Sequence, residues 1–363
     1  DGLFPADPFM YQTNFLSLGF GACGVLYALK KCGFEIPKRA LEWLERELDN
    51  VHVHAQDNDL PPGLLTGASG IAWSLWELGL TDRAFAMMEI ANRSPLLRSH
   101  HSYLYGMAGV GMTNLFLHLR SQQSSYLAIA KDLGDSLLEA AKENDRGVYW
   151  DTGQLIHLGY GYGQSGVALF LLRLAQISGE EKFLSPGRRA LEFDLSHGVE
   201  AEPGVLSFPR SPADATLLPY LEEGSAGIAR VAIRYGLWDR TEKILSDVHR
   251  KYAGFAGLLF GLGSFVDVLT DAYLFSKNAK FLEMAKRPAS GIRDIYAIRQ
   301  AQGSATPGEG LFRISCDYAT GVAGVLRALH RFTDLDEADF TLDDAAAVAA
   351  LPETASAVHM SSR

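Results

Sequence analysis

Acidic, imidazole and phenolic side chains gather in three stretches of this chain. Residues 144–162, 198–223 and 300–320 are rich in Tyr, Pro, His and acid, and each runs up to a glycine that opens an apolar segment. The adjacent carboxylates Glu222 and Glu223 precede one such glycine, and Asp317 precedes another. Held beside a weak acid, a carboxylate takes up its proton. The same pair also reads as helix-start charges facing water, and Asp317 as a capping residue. Tyr105, His157, Tyr160, Phe260 and Tyr318, each within six residues before a glycine of this kind, are candidate substrate contacts. His52, His54, His100 and His101 look like metal pairs, but no further ligand lies at a sensible spacing, which places them on loop surface. Of the cysteines, Cys23 reads as a small buried hydrophobe, and nothing near Cys316 marks a nucleophile.

The elements that must hold these residues come from a repeat. Seven times a glycine, two residues and a second small residue precede an apolar run: at Gly21, Gly67, Gly106, Gly163, Gly224, Gly261 and Gly321, spaced 37 to 61 residues apart. Each run is apolar almost all round, as in Ile71 to Leu78 and Val167 to Leu174, and such a helix is buried. A second, amphipathic helix follows, as in Pro37 to Leu48, Asp82 to Ala91, Tyr126 to Lys142, Glu181 to Leu195, Asp239 to Tyr252 and Ala279 to Ile298, the last broken near Pro288. Small residues three apart share a helix face and allow neighbouring backbones to approach.

Seven buried helices with about seven amphipathic ones outside predict an all-α closed toroid, because an open superhelix needs polar end caps and the end copies are as apolar as the middle ones. It forms a single domain over 21–345, with an entry segment 1–20 and a flexible tail 346–363. The seven helix N-termini ring one mouth, and their dipoles predict an electropositive pocket favouring a thiolate, enolate or carboxylate. No strand precedes the glycines and no Gly-Lys-Ser/Thr follows, so they do not bind phosphate.

Composition narrows the class. With 33 basic and 43 acidic residues the formal charge is −10, and no basic stripe offers a nucleic-acid surface. No apolar run reaches the roughly 20 residues that span a bilayer. Three cysteines imply no disulfide framework and fit a reducing cytoplasm. The chain opens at Asp1 with no methionine or signal peptide, and reads as a piece of a longer polypeptide.

Seven glycine motifs in register, with Leu16–Gly21, Gly161–Leu169 and Tyr220–Ala229, resemble the lanthionine synthetase C-like cyclases. The opening Leu3-Phe4-Pro5-Ala6-Asp7-Pro8 and the closing Ala338–Asp343 are similar to the C-terminal cyclase domain of class III lanthipeptide synthetases. That resemblance implies addition of a peptide cysteine thiol to dehydroalanine or dehydrobutyrine, with a dehydrated precursor peptide as partner. It also implies kinase and lyase domains in the same polypeptide, ATP or GTP serving only that kinase. Zinc-dependent relatives hold their metal two residues before the fifth glycine and at the two residues before the sixth. Here those positions are Glu222, Leu259 and Phe260, which cannot make a thiolate and imidazole site, so no zinc is expected. Tyr162 stands where those relatives carry a histidine, and could donate a proton or simply pack. Glu222 and Glu223 become the base for the thiol. An inert peptide-binding scaffold remains an alternative. So does a glycoside hydrolase using Glu222, Asp151 or Asp317, although only Trp150 of five tryptophans lies in a loop feeding the mouth.

Overall fold

Glycine starts every inner helix in the computed structural model, which describes residues 3–54, 60–153, 155–301 and 303–346. Helix α1 (Ala22–Lys31) is followed by α2 (Lys38–His54), α3 (Ala68–Glu77) by α4 (Thr81–Arg93), and α5 (Met107–Ser121) by α6 (Ser124–Glu139). Then come α7 (Gln164–Ser178) with α8 (Leu184–Leu195), α9 (Ser225–Arg234) with α10 (Trp238–Asp247), α11 (Leu262–Ser276) with α12 (Ala279–Gly291), and finally α13 (Val322–Asp334). The odd-numbered helices pack each against the next and α13 packs back on α1, which closes an α/α toroid. No described helix is long and apolar enough to cross a membrane.

The second small residue of the motif has a sharper cause than helix–helix approach. A Cβ on Gly24 would stand 1.8 Å from the carbonyl oxygen of Leu18, and one on Gly166 2.0 Å from that of Tyr160. Each helix is thus folded back onto its own preceding loop. The loop carbonyls cap the helix: Ala22 N–H donates to Phe15 O, Met107 N–H to His100 O and Val322 N–H to Ser315 O, at 2.8 to 2.9 Å.

Neighbouring loops are joined through the residue two before each glycine. The N–H of Gly19 donates to Leu65 O, Leu65 to Leu104, Leu104 to Gly161, Gly161 to Glu222, Glu222 to Leu259, Leu259 to Ala319 and Ala319 to Gly19, at 2.7 to 3.1 Å. This belt of backbone bonds runs through all seven repeats and sorts their side chains into layers. Residues three before each glycine (Leu18, Leu64, Tyr103, Tyr160, Leu221, Leu258, Tyr318) fall on the inner side and are all buried. Residues one before it are partly exposed at the mouth, apart from the buried Thr320.

Six amphipathic helices, not seven, surround the ring among the described residues. After α13 the chain turns at Leu335 (φ +60°) and residues 336–344 run into the far end of the toroid. There Tyr318 donates to Asp339 at 2.8 Å, Arg327 holds Asp339 at 3.0 Å and Arg173 donates to Thr341 O at 2.7 Å. Beside this strap Asp271 accepts from Arg230, Arg234 and Arg331 at 3.1, 2.9 and 2.6 Å, and all four side chains are buried. The inner helices are therefore less apolar than their overall reading suggests: their far ends carry an ion network.

The three long stretches hold short antiparallel hairpins not anticipated from sequence. These are β1 (Lys142–Asn144) with β2 (Gly147–Tyr149), β3 (Val199–Glu202) with β4 (Val205–Pro209) and β5 (Leu217–Leu218), and β6 (Ile298–Gln300) with β7 (Gly303–Ala305). Pro288 does not end α12. The helix passes through it and then widens into a π turn at Ile292–Tyr296, following the loss of one ladder donor. Helix α2 continues to His54, so His52 and His54 lie in a helix and not in a loop. The tail from residue 347 lies outside the described residues.

Candidate active site at the mouth

Four consecutive repeats build the site. Tyr105, Tyr162, Glu223 and Phe260 each immediately precede a glycine and are partly exposed at the mouth. Glu222 is the one charged residue among the seven belt positions, the others being Gly19, Leu65, Leu104, Gly161, Leu259 and Ala319. Its backbone is fixed in the belt on both sides, so its carboxyl is positioned by the ring itself. Tyr105 OH donates to Glu222 Oε1 at 2.8 Å. The Tyr105 ring stacks on Tyr162 at 4.5 Å, and Tyr162 stacks on His157 at 5.1 Å. His157 Nδ1 lies 3.6 Å from Glu223 Oε1. Phe260 packs on Tyr220 at 4.3 Å.

These groups resist negative charge. Burial pushes the Glu222 carboxyl up to about 7, the charges of Glu223 and Glu309 add to the rise, and the Tyr105 hydrogen bond opposes it. Burial followed by the Glu222 charge pushes the Tyr162 phenol up to about 12 and also raises Tyr105. Glu309 is raised by burial and by Asp7 and Asp317. Loop carbonyls consume the first N–H groups, and the side chains that converge at the mouth are acids and phenols. A carboxyl near neutrality in such a place suits proton abstraction near pH 7.

Other candidates fall elsewhere. Asp317 is 1% exposed and serves its own loop, accepting from Thr320 N at 2.7 Å, Gly321 N at 3.1 Å and the Ser315 hydroxyl. These bonds make it a cap of the seventh motif's loop. Tyr160 and Tyr318 belong to the layer beneath the belt and are buried, at 3% exposure each. Tyr160 stacks near Tyr103 and Tyr318 bonds Asp339. Asp151 pairs with Lys142 at 2.6 Å on a hairpin, and Trp150 is buried with its indole on Leu137 O. The acid pair and sugar-stacking tryptophan of a glycoside hydrolase are thus not assembled from these residues. Cys23 is fully buried, and burial pushes its thiol up to about 12. Burial also raises Cys316.

His100 was missed. The histidines expected on loop surface divide: His101 is buried with its basicity lowered to about 3, and the partly exposed His100 meets Tyr162 edge-on at 6.4 Å. His100 and His157 each stand six residues before their glycines, Gly106 and Gly163.

The residues do not fit a zinc ion at the positions named above. Phe260 has no donor atom, Leu259 offers only backbone already in the belt, and Glu222 is bonded to Tyr105. Among the described residues no three His, Cys, Asp or Glu side chains are grouped to hold a metal.

Residues 81–341 match the family model of the lanthionine synthetase C-like proteins. The chain is 28% identical over 340 residues to a protein of Streptomyces coelicolor described as a probable SapB synthase. That match covers 91% of this chain and 35% of the relative, so the chain spans about a third of that protein's length. Among solved structures, nisin cyclase superposes with a TM-score of 0.67 at 16% identity, covering 92% of both chains, and shares the fold. With its family model spanning most of the toroid, the chain belongs to the lanthionine synthetase C-like family.

Proposed function

We propose that this chain is the ring-closing part of a class III lanthipeptide synthetase. It adds cysteine thiols of a dehydrated precursor peptide to dehydroalanine or dehydrobutyrine, giving lanthionine or labionin, without zinc and in the cytoplasm. Kinase and lyase domains of the same polypeptide make the dehydro residues. The observation that carries this reading is Glu222, a carboxyl held near neutrality by burial at the mouth of a toroid of this family. A thiol with an ordinary value of about 8.5 is mostly protonated near pH 7, and its thiolate is the nucleophile. Glu222 takes that proton while the mouth holds thiol and alkene together, which removes much of the entropic barrier. The family membership and the relatives named as a synthase and a cyclase support the reaction class.

The test is incubation of the metal-stripped chain with a chemically dehydrated precursor peptide, scored for loss of free thiol by mass spectrometry. Ring closure well above the rate of the peptide alone is expected, with chelator making no difference. A rate equal to that of the peptide alone refutes the reading and leaves a peptide-binding scaffold. Activity that appears only with added zinc refutes the metal-free part.

A further inference from the structure

Glu222 accounts for the proton that leaves the thiol. Addition also needs a proton to arrive, at the α-carbon of the former dehydro residue, and the side from which it comes decides the configuration there. Tyr105, Tyr162 and His157 form a column of rings with centroids 4.5 and 5.1 Å apart, Glu222 bonded at the Tyr105 end and Glu223 beside His157 at the other. His157 sits on a fixed turn: Gln164 Nε2 donates to its carbonyl at 2.7 Å, and the next residue, Leu158, donates its N–H to Arg210 O at 2.8 Å. Its Nδ1 is buried without a hydrogen bond, 3.6 Å from Glu223 Oε1. That separation lies just beyond hydrogen-bond length.

We propose that His157, as an imidazolium held by Glu223, donates the proton from Nε2 to the α-carbon and so sets the configuration of the lanthionine. This assignment rests on the cyclase reading above. The thiol's sulfur bonds to Cβ, the alkene electron pair moves to the α-carbon as an enolate, and the Nε2 proton is transferred there. His157 regains a proton from water and Glu222 releases the thiol's proton to water, so no other reactant is consumed. Tyr162, which fills the position of the relatives' histidine, is the poorer donor: its phenol is pushed up to about 12, and an imidazolium is a far stronger acid than a phenol. Tyr162 instead stacks on the imidazole and holds its plane. Glu223 is a positioning residue, acting through His157.

The experiment uses the same chain with a dehydrated peptide that forms one ring. The product is hydrolysed, and the lanthionine diastereomers are separated by chiral gas chromatography. Wild-type chain should give one diastereomer. His157→Gln should close the ring at least 10-fold more slowly and give a mixture approaching that of the uncatalysed peptide, with unchanged thermal unfolding. Glu223→Gln should show a smaller loss of both rate and selectivity. Glu222→Gln should lose rate and keep a single diastereomer in whatever product the chain makes. A His157→Gln chain with wild-type rate and one diastereomer overturns this assignment and leaves Glu222 as base. A wild-type chain no faster than the peptide alone overturns the cyclase reading and this assignment with it.

Discussion

Replacing Glu222 with glutamine is the most direct probe of the mouth. The side chain keeps its shape, can still accept from Tyr105, and leaves the backbone belt untouched. What it loses is a carboxyl held at about 7 in place of its ordinary 4.5. A thiol near 8.5 gives its proton to an ordinary glutamate at a cost of about 5 kcal/mol, but to a carboxyl near 7 at about 2 kcal/mol, taking 1.36 kcal/mol per pH unit. Burial thus brings the proton transfer within reach at neutral pH, and losing a positioned base of this kind costs roughly 10²–10⁴ in rate. In wild-type chain the rate should rise as Glu222 ionises around pH 7. Glu222→Gln should lack that limb and follow only the thiolate fraction of the peptide near 8.5. Initial rates of thiol loss from pH 5.5 to 9, read by mass spectrometry, measure both. The folded value lies above the unfolded one, so the protonated form is favoured by folding and the charge costs stability as pH rises through 7. Glutamine removes that cost, and the melting temperature at pH 8 should not fall. A variant that keeps wild-type rates and the limb near pH 7 would refute the assignment of Glu222 as base.

Tyr105→Phe removes the hydrogen bond that lowers Glu222, so the limb near pH 7 should shift to higher pH while ring closure persists, as the same pH series would show. Asp271→Ala strips the shared partner from three buried arginines and should cost about 3–5 kcal/mol in denaturant unfolding. Asp317→Ala should lower thermal stability, by roughly 1–2 kcal/mol for a lost cap, and leave the pH dependence of ring closure unchanged. Gly166→Ala drives a methyl into the Tyr160 carbonyl and should destabilise by about 1–3 kcal/mol or more, read by the same unfolding assay.

The toroid was legible because each glycine motif announces both a helix start and the loop packed beneath it, and seven announcements in register leave few architectures. The belt position of Glu222 is legible for the same reason, since it stands two before the fifth glycine. Six before the third and fourth glycines stand His100 and His157, and three before the fourth and seventh stand Tyr160 and Tyr318, which the belt turns inward. Loop chemistry alone cannot tell those tyrosines from Tyr105 and Tyr162, because the difference lies in which side of a hydrogen-bonded strand each residue falls. The ion network was hidden by the apolar look of its helices. Arg173, Arg230, Arg234 and Arg331 are isolated charges in their own segments and become a cluster only when α7, α9, α11 and α13 stand side by side.

The strap of residues 336–344 makes the order of synthesis matter. Gly19 accepts hydrogen bonds from Tyr318 and Ala319, and Tyr103 bonds to the carbonyl of Phe340, so the seam of the ring and its floor both join parts of the chain made far apart in time. Contacts at such separation in sequence form slowly, since their loop entropy must be met before they stabilise anything. On the ribosome the first six repeats would emerge as an open arc, with the inward faces of α1 and α11 still lacking their shared neighbour α13. Closure then comes late and all at once, when one segment supplies both the last inner helix and the latch that holds it. A nascent arc of this kind is a natural client for chaperones, and substitutions along the seam at α1 and α13 should cut the yield of folded chain more than the stability of what does fold.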